Sequence, residues 1–122
     1  ERVVAIEESS AAVRDAAVNI GGLSNIEFVE AKTEEALSGL GHPPDAIVLD
    51  PPRAGCHPDA IRATIESESD RVVYVSCDPV TLARDLAALV AGCYRVVRVE
   101  SLDMFPQTHH VECVVTLDRT NH

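Results

Sequence analysis

Apolar positions along the chain recur with two periods, and each period marks an element. "RVVAI" (2–6) is a short β-branched run that stops at Glu7 and Glu8 and reads as a strand. In the next segment Ala12, Val13, Ala16, Ala17 and Ile20 share one helical face, with Ser9 or Ser10 as the cap and Gly21–Gly22 as the end. "IEFVEA" (26–31) alternates as a strand, and a weak helix is expected over 33–40. "DAIVLD" (45–50) is a continuous apolar run ending at Asp50, the pattern of a parallel strand covered on both faces. "DPPRAGCHP" (50–58) is loop, "DAIRATIES" (59–67) predicts a short helix on Ile61 and Ile65, and "RVVYVS" (71–76) predicts another buried strand. Pro79 suits the first turn of a helix running through Leu82, Ala83, Leu86, Leu89 and Val90 to Gly92. "YRVVRVESL" (94–102) and "VECVVTL" (111–117) have no helix between them, which predicts an antiparallel pair at one sheet edge.

The order β-α-β-α-β-α-β-α-β-β predicts an α/β fold with a mostly parallel sheet and ligands at the carboxyl ends of its strands. Polar residues gather at those ends: Glu7 and Glu8, then Asp50 to Arg53, then Ser76 to Asp78. A nucleotide-binding sheet opens with a strand and a glycine-rich turn, whereas this chain opens at "ERVVAIEES" and contains no GxGxxG. The expectation is therefore a single domain over 1–122, a Rossmann-like sheet lacking its first strand and glycine turn, as part of a longer enzyme. Strands left without a neighbour would expose edges that favour self-association.

Composition narrows the classes. The 10 Lys and Arg stand against 20 Asp and Glu, a formal charge of −10, so attraction to a polyanion has to be local. No apolar run approaches the ~18 residues that span a bilayer, so no membrane partner is expected. Cys56, Cys77, Cys93 and Cys113 form neither a CxxC pair nor a secreted disulfide pattern, which suggests no metal site and a reducing cytoplasm.

"DPPRAGC", "YVSCDPVTLARDL" and "LDMFPQTHHVECVV", in that order, resemble the S-adenosylmethionine-dependent RNA 5-methyluridine methyltransferases, which methylate uracil C5 in tRNA or rRNA. "VVAIEESSAAVRDAAVNIGGLSNIEF" also resembles the family's segment after its first glycine turn, so the similarity covers nearly the whole chain. The resemblance implies S-adenosylmethionine as cofactor and RNA as substrate. It further implies that Cys77 is the nucleophile adding to uracil C6, Glu112 the base that removes the C5 proton, Asp50 a residue lining the catalytic and cofactor sites, and Glu7 the holder of the cofactor ribose.

The chemistry asks for such groups. Uracil C5 becomes nucleophilic only after a thiolate adds at C6, and restoring the ring then needs a carboxylate to take the C5 proton. Cys77 lies just before a helix opened by Pro79, where the helix dipole favours a thiolate. Outside this motif, a cysteine at a strand end is more often a small buried hydrophobe, and Cys56, Cys93 and Cys113 are left with that role. Glu112 interrupts an apolar strand, where a carboxylate needs a partner or a cleft. Asp50 precedes two prolines, so its corner is stiff. Methyltransferases acting on base amino groups use a similar Asp-Pro-Pro followed by an aromatic. Here Arg53 follows instead, a cation for RNA phosphate or a developing enolate oxygen. Glu8 competes with Glu7 for the ribose, and either also suits a helix N-terminus. Three other readings stay open: a methyltransferase acting on base amino groups, a non-catalytic Rossmann-like binding or scaffold module, and a cysteine hydrolase pairing Cys77 with His109. The last lacks a Gly-x-Cys-x-Gly elbow.

Overall fold

The computed structural model describes residues 2–120. Its elements follow the predicted order: β1 Val3–Glu7, α1 Ser10–Asn19, β2 Ile26–Glu30, α2 Thr33–Ser38, β3 Ala46–Leu49, α3 Pro58–Glu66, β4 Arg71–Ser76, α4 Pro79–Ala91, β5 Tyr94–Leu102 and β6 Glu112–Arg119. The chain divides into two compact units, Glu1–Gly41 and His42–His122.

In the first unit β1 and β2 pair in parallel, Val3 against Ile26 through Glu7 against Glu30. Ser9 caps α1 by accepting the Ala12 N–H, and Gly21 and Gly22 turn the chain beyond it at positive φ. Of the predicted α1 face, Val13, Ala16 and Ile20 are half-buried and Ala12 and Ala17 are exposed; Leu37 of α2 is the buried apolar side chain of this unit.

The second unit carries a four-stranded sheet in the order β3-β4-β6-β5. β3 and β4 run parallel, while β6 lies antiparallel to both β4 and β5. This is a mixed sheet of the Rossmann-like kind: the last two strands pair antiparallel at one edge, as their sequence suggested, with β6 the reversed strand between β4 and β5. Ile47, Leu49, Val72, Tyr74, Val115 and Leu117 are buried on one sheet face with Ile61 of α3 and Leu82 and Leu89 of α4. Tyr74 bonds to α4 through Asp85, and Arg119 bonds to the Ile65 carbonyl of α3, so both helices cover that face. The opposite face departs from expectation. β3 and β4 read as buried on both sides, yet Val48 is 68% exposed and Val73 and Val75 are half-buried. Their unbroken apolar runs thus do not correspond to burial on both faces within this unit. Similarly, Ala83 and Val90 of α4 are exposed, while Asp85, which no apolar pattern marks, is buried. No helix among the described residues is long and apolar enough to cross a membrane.

Two local devices hold α4. At its start, Asp78 Oδ1 accepts the N–H groups of Val80 and Thr81 at 2.9 Å each. The Thr81 and Val80 amides, the Thr81 hydroxyl and the nearby Arg53 charge together hold the Asp78 carboxyl below its ordinary range, against the opposing effect of desolvation. At its end, a Cβ on Gly92 would lie 2.4 Å from Ile65 Cδ1. Gly92→Ala is therefore expected to overpack the α3–α4 seam at a cost of about 1–3 kcal/mol, read as a lowered denaturation midpoint. Asp78→Ala is expected to lower the unfolding temperature at neutral pH. A carboxyl whose folded pKa lies below its unfolded value stabilises fully above the unfolded value, and that contribution vanishes as pH falls through the folded one. The difference from the unaltered protein should thus shrink below about pH 4, an ordinary aspartate pKa; a difference independent of pH would refute the capping assignment.

Candidate active site

Strand register builds the site. β4 and β6 pair antiparallel up to Ser76 against Cys113. Immediately beyond that last pair stand Cys77, after β4, and Glu112, the first residue of β6, two residues far apart in sequence that line the same cavity. From the other side of the unit the loop after β3 brings in Arg53. From above, the turn between β5 and β6 brings Phe105 and His110. These five residues line one cavity of about 380 Å³. Cys77, His110 and Glu112 are half-buried, and Arg53 and Phe105 are exposed at its mouth.

The cavity sets an aromatic ring and a thiol beside a guanidinium, an imidazole and a carboxylate. Arg53 Nη2 lies 3.4 Å from His110 Nε2, a contact in which the guanidinium can only donate. Phe105 meets the His110 ring edge-on, with centroids 6.4 Å apart and planes at 78°. His109 lies beside His110 with ring centroids 4.2 Å apart and planes at 37°, and is not among the residues lining the cavity. Cys77 immediately precedes the Asp78 cap of α4, as its sequence suggested. The first-turn amides of Val80 and Thr81 are nevertheless committed to the Asp78 carboxylate, so the nearest cation in the cavity is Arg53.

Behind the cavity lies a polar cluster. Asp85, 3% exposed, accepts the Tyr74 hydroxyl at 2.5 Å and the Cys56 N–H at 2.8 Å on Oδ2, and Arg84 Nε at 2.9 Å on Oδ1. Burial, reinforced by this carboxylate, raises the Tyr74 pKa far above that of a free phenol. Burial likewise pushes the Cys56 thiol upward, consistent with an inert side chain.

Of the residues singled out in the sequence, Cys77, Glu112 and Arg53 converge. Asp50 is exposed at the carboxyl end of β3 and is not among the residues lining the cavity. Glu7 belongs to the first unit, where its Oε1 accepts the Ser9 N–H at 2.8 Å at the start of α1. Phe105 and His110 were not selected from sequence: an aromatic and a histidine in a turn carry no periodic signal, and only the closing of the β5–β6 turn over Cys77 gives them a role.

The family model for tRNA (uracil-5-)-methyltransferases matches residues 41–120. An RNA methyltransferase of Gloeobacter violaceus is 48% identical over 120 residues, covering 97% of this chain and 26% of its own length. One from Thermotoga maritima is 47% identical over 118 residues, covering 95% and 27%. The chain thus spans about a quarter of the length of the curated relatives it matches. Among solved structures, the tRNA (uracil-54, C5)-methyltransferase of Pyrococcus abyssi in complex with S-adenosyl-L-homocysteine superposes with a TM-score of 0.82 at 36% identity, over 95% of this chain and 28% of that one. A precorrin-6y C5,15-methyltransferase of Geobacter metallireducens, at 20% identity and TM-score 0.77 over 97% of this chain and 68% of that one, shares the fold. With the order of its strands, the cavity at their carboxyl ends and a family match running from the β3 strand through β6, this chain belongs to the tRNA (uracil-5-)-methyltransferase family.

Proposed function

We propose that the chain is the catalytic end of a cytoplasmic RNA methyltransferase that places a methyl group on C5 of uridine in tRNA or rRNA through a covalent cysteine adduct. The observation that carries this reading is the meeting of Cys77 and Glu112 in one cavity with Arg53. A thiolate at Cys77 attacks C6 of the uracil ring, and the electron pair of the C5–C6 double bond moves through C5 to the carbonyl oxygen. Arg53, the cation of the cavity, faces the charge so formed. After alkylation at C5, Glu112 takes the C5 proton, the electrons of that bond re-form the double bond, and the Cys77 sulfur leaves.

S-adenosylmethionine supplies the methyl group as an electrophile when bound. Glu7 fits part of that role by chemistry: an exposed carboxylate at the end of a parallel strand accepts hydrogen bonds from a ribose diol, and one of its oxygens is already oriented by Ser9. Asp50, exposed at the end of β3, is the second acidic group assigned to the cofactor side. The RNA partner is met locally, through Arg53 and the aromatic edge of Phe105, since the chain as a whole carries net charge −10.

The test uses the product of the complete reading frame that encodes this chain. With 5-fluorouracil-substituted RNA and S-adenosylmethionine, a covalent protein–RNA adduct should form and map to Cys77, because fluorine at C5 cannot be removed by a base. Cys77→Ala should abolish it, and equal trapping would refute the nucleophile. Glu112→Gln should slow turnover on ordinary RNA by about 10²–10⁴-fold, the range for loss of a general base, and accumulate adduct without fluorine. Glu7→Gln should weaken cofactor binding measured by calorimetry; unchanged affinity would remove Glu7 from the cofactor site. The 122-residue chain alone should methylate little or no RNA. Strands β1, β2 and β3 each have a single hydrogen-bonded neighbour, and sedimentation at high concentration should show self-association of this chain through those edges.

A further inference from the structure

The loop that delivers Arg53 is gripped by α4 one backbone group after another. Thr81 Oγ1 donates to the Arg53 carbonyl at 2.9 Å, and Arg84 Nη2 donates to the carbonyls of Ala54 at 2.9 Å and Cys56 at 3.3 Å. The Cys56 N–H is held by Asp85 at 2.8 Å, and the Gly55 N–H closes a turn onto the Pro52 carbonyl at 2.8 Å. Gly55 has φ +78°, and a Cβ there would lie 2.5 Å from Arg84 Nη2, 2.7 Å from Asp85 Oδ2 and 3.2 Å from Thr81 Cβ. Only glycine lets the loop lie this close to the helix. Asp85 is in turn fixed by the fully buried Tyr74 on β4. The same first turn of α4 carries Asp78, the neighbour of Cys77, whose Oδ1 holds the Thr81 N–H.

A buried carboxylate is a poor way to gain stability, because desolvation offsets most of the attraction. What it provides is a fixed geometry. We propose that Thr81 and Asp85 are positioning residues: neither lines the cavity, and together they lock the Arg53–Cys56 backbone to the helix that starts beside Cys77, so that the Arg53 guanidinium stands opposite the thiol. The inference rests on the uracil methylation reading for its consequence in activity, and on the hydrogen bonds alone for the lock itself. Placement of this kind matters because a preorganised charge acts without reorganising during the reaction.

Two measurements on the product of the complete reading frame test it. First, Thr81→Val removes one hydroxyl without changing shape, and should lower kcat/KM for RNA about tenfold, corresponding to loss of one well-placed hydrogen bond. Thr81→Ser should restore it to within about twofold. If Thr81 acts through Arg53, adding Thr81→Val to Arg53→Ala should cost nothing beyond Arg53→Ala alone, since coupled residues are non-additive. Losses that multiply, or a Thr81→Val enzyme as active as the original, would overturn the proposal. Second, amide hydrogen exchange is read in Asp85→Asn, whose neutral oxygen is a weaker acceptor for the Tyr74 hydroxyl and the Cys56 amide that share Oδ2, and which loses the charge that faces Arg84. Exchange at the Cys56 amide should accelerate about tenfold or more, while the β4 core stays protected. Unchanged exchange at Cys56 would overturn the lock, whatever the activity. If the unaltered protein fails to methylate uracil yet the Cys56 amide loses protection in Asp85→Asn, the reading of the site is wrong and the lock stands.

Discussion

The antiparallel register between β4 and β6 is the constraint on which the site depends. A slip by one residue would turn every side chain of β6 to the other face of the sheet. Val115 and Leu117 would leave the core they share with Tyr74 and Val72, and Glu112 would no longer line the cavity with Cys77. The buried apolar pairs that stabilise the sheet therefore also fix the strand ends from which Cys77 and Glu112 enter one cavity. The geometry of the cavity is a by-product of hydrophobic registration, which makes it stiff.

Charge is handled in two ways. The chain carries a formal net charge of −10, so its overall field does not draw in polyanions. Within the cavity the balance is local: Arg53 is the cation among Cys77, Glu112, Phe105 and His110. Behind it, Asp85 is a buried anion that is tolerated because Tyr74, the Cys56 amide and Arg84 all donate to it. Replacing that cluster with apolar groups would fill the same space and give up the fixed loop.

The sheet of the second unit is covered on the side of α3 and α4 and sparsely covered on the other, where Val48 is exposed and Val73, Val75 and Val114 are half-buried. The alternating burial in β3 and β4 is thus a property of which residues surround these strands, and their unbroken apolar sequence records the environment they are built for.

Element order and type were written in the chain. Periods of two and 3.6, the serine before α1, Pro79 and the glycines after α1 and α4 are local signals, and local sterics and hydrogen bonding set them without help from distant residues. The three motifs also named Cys77, Arg53 and Glu112. Several things were legible only in three dimensions. Asp85 reads as one more polar residue on a helix, and its burial follows from Tyr74 reaching it across the α4–sheet interface. His110 and Phe105 join the cavity because the β5–β6 turn folds over it, while Asp50 lies off its lining and Glu7 sits in a separate unit with a partner of its own. A sequence pattern reports what each residue prefers within a few neighbours. Which distant groups share a cavity is decided by strand register and helix packing, where many such preferences must be satisfied at once.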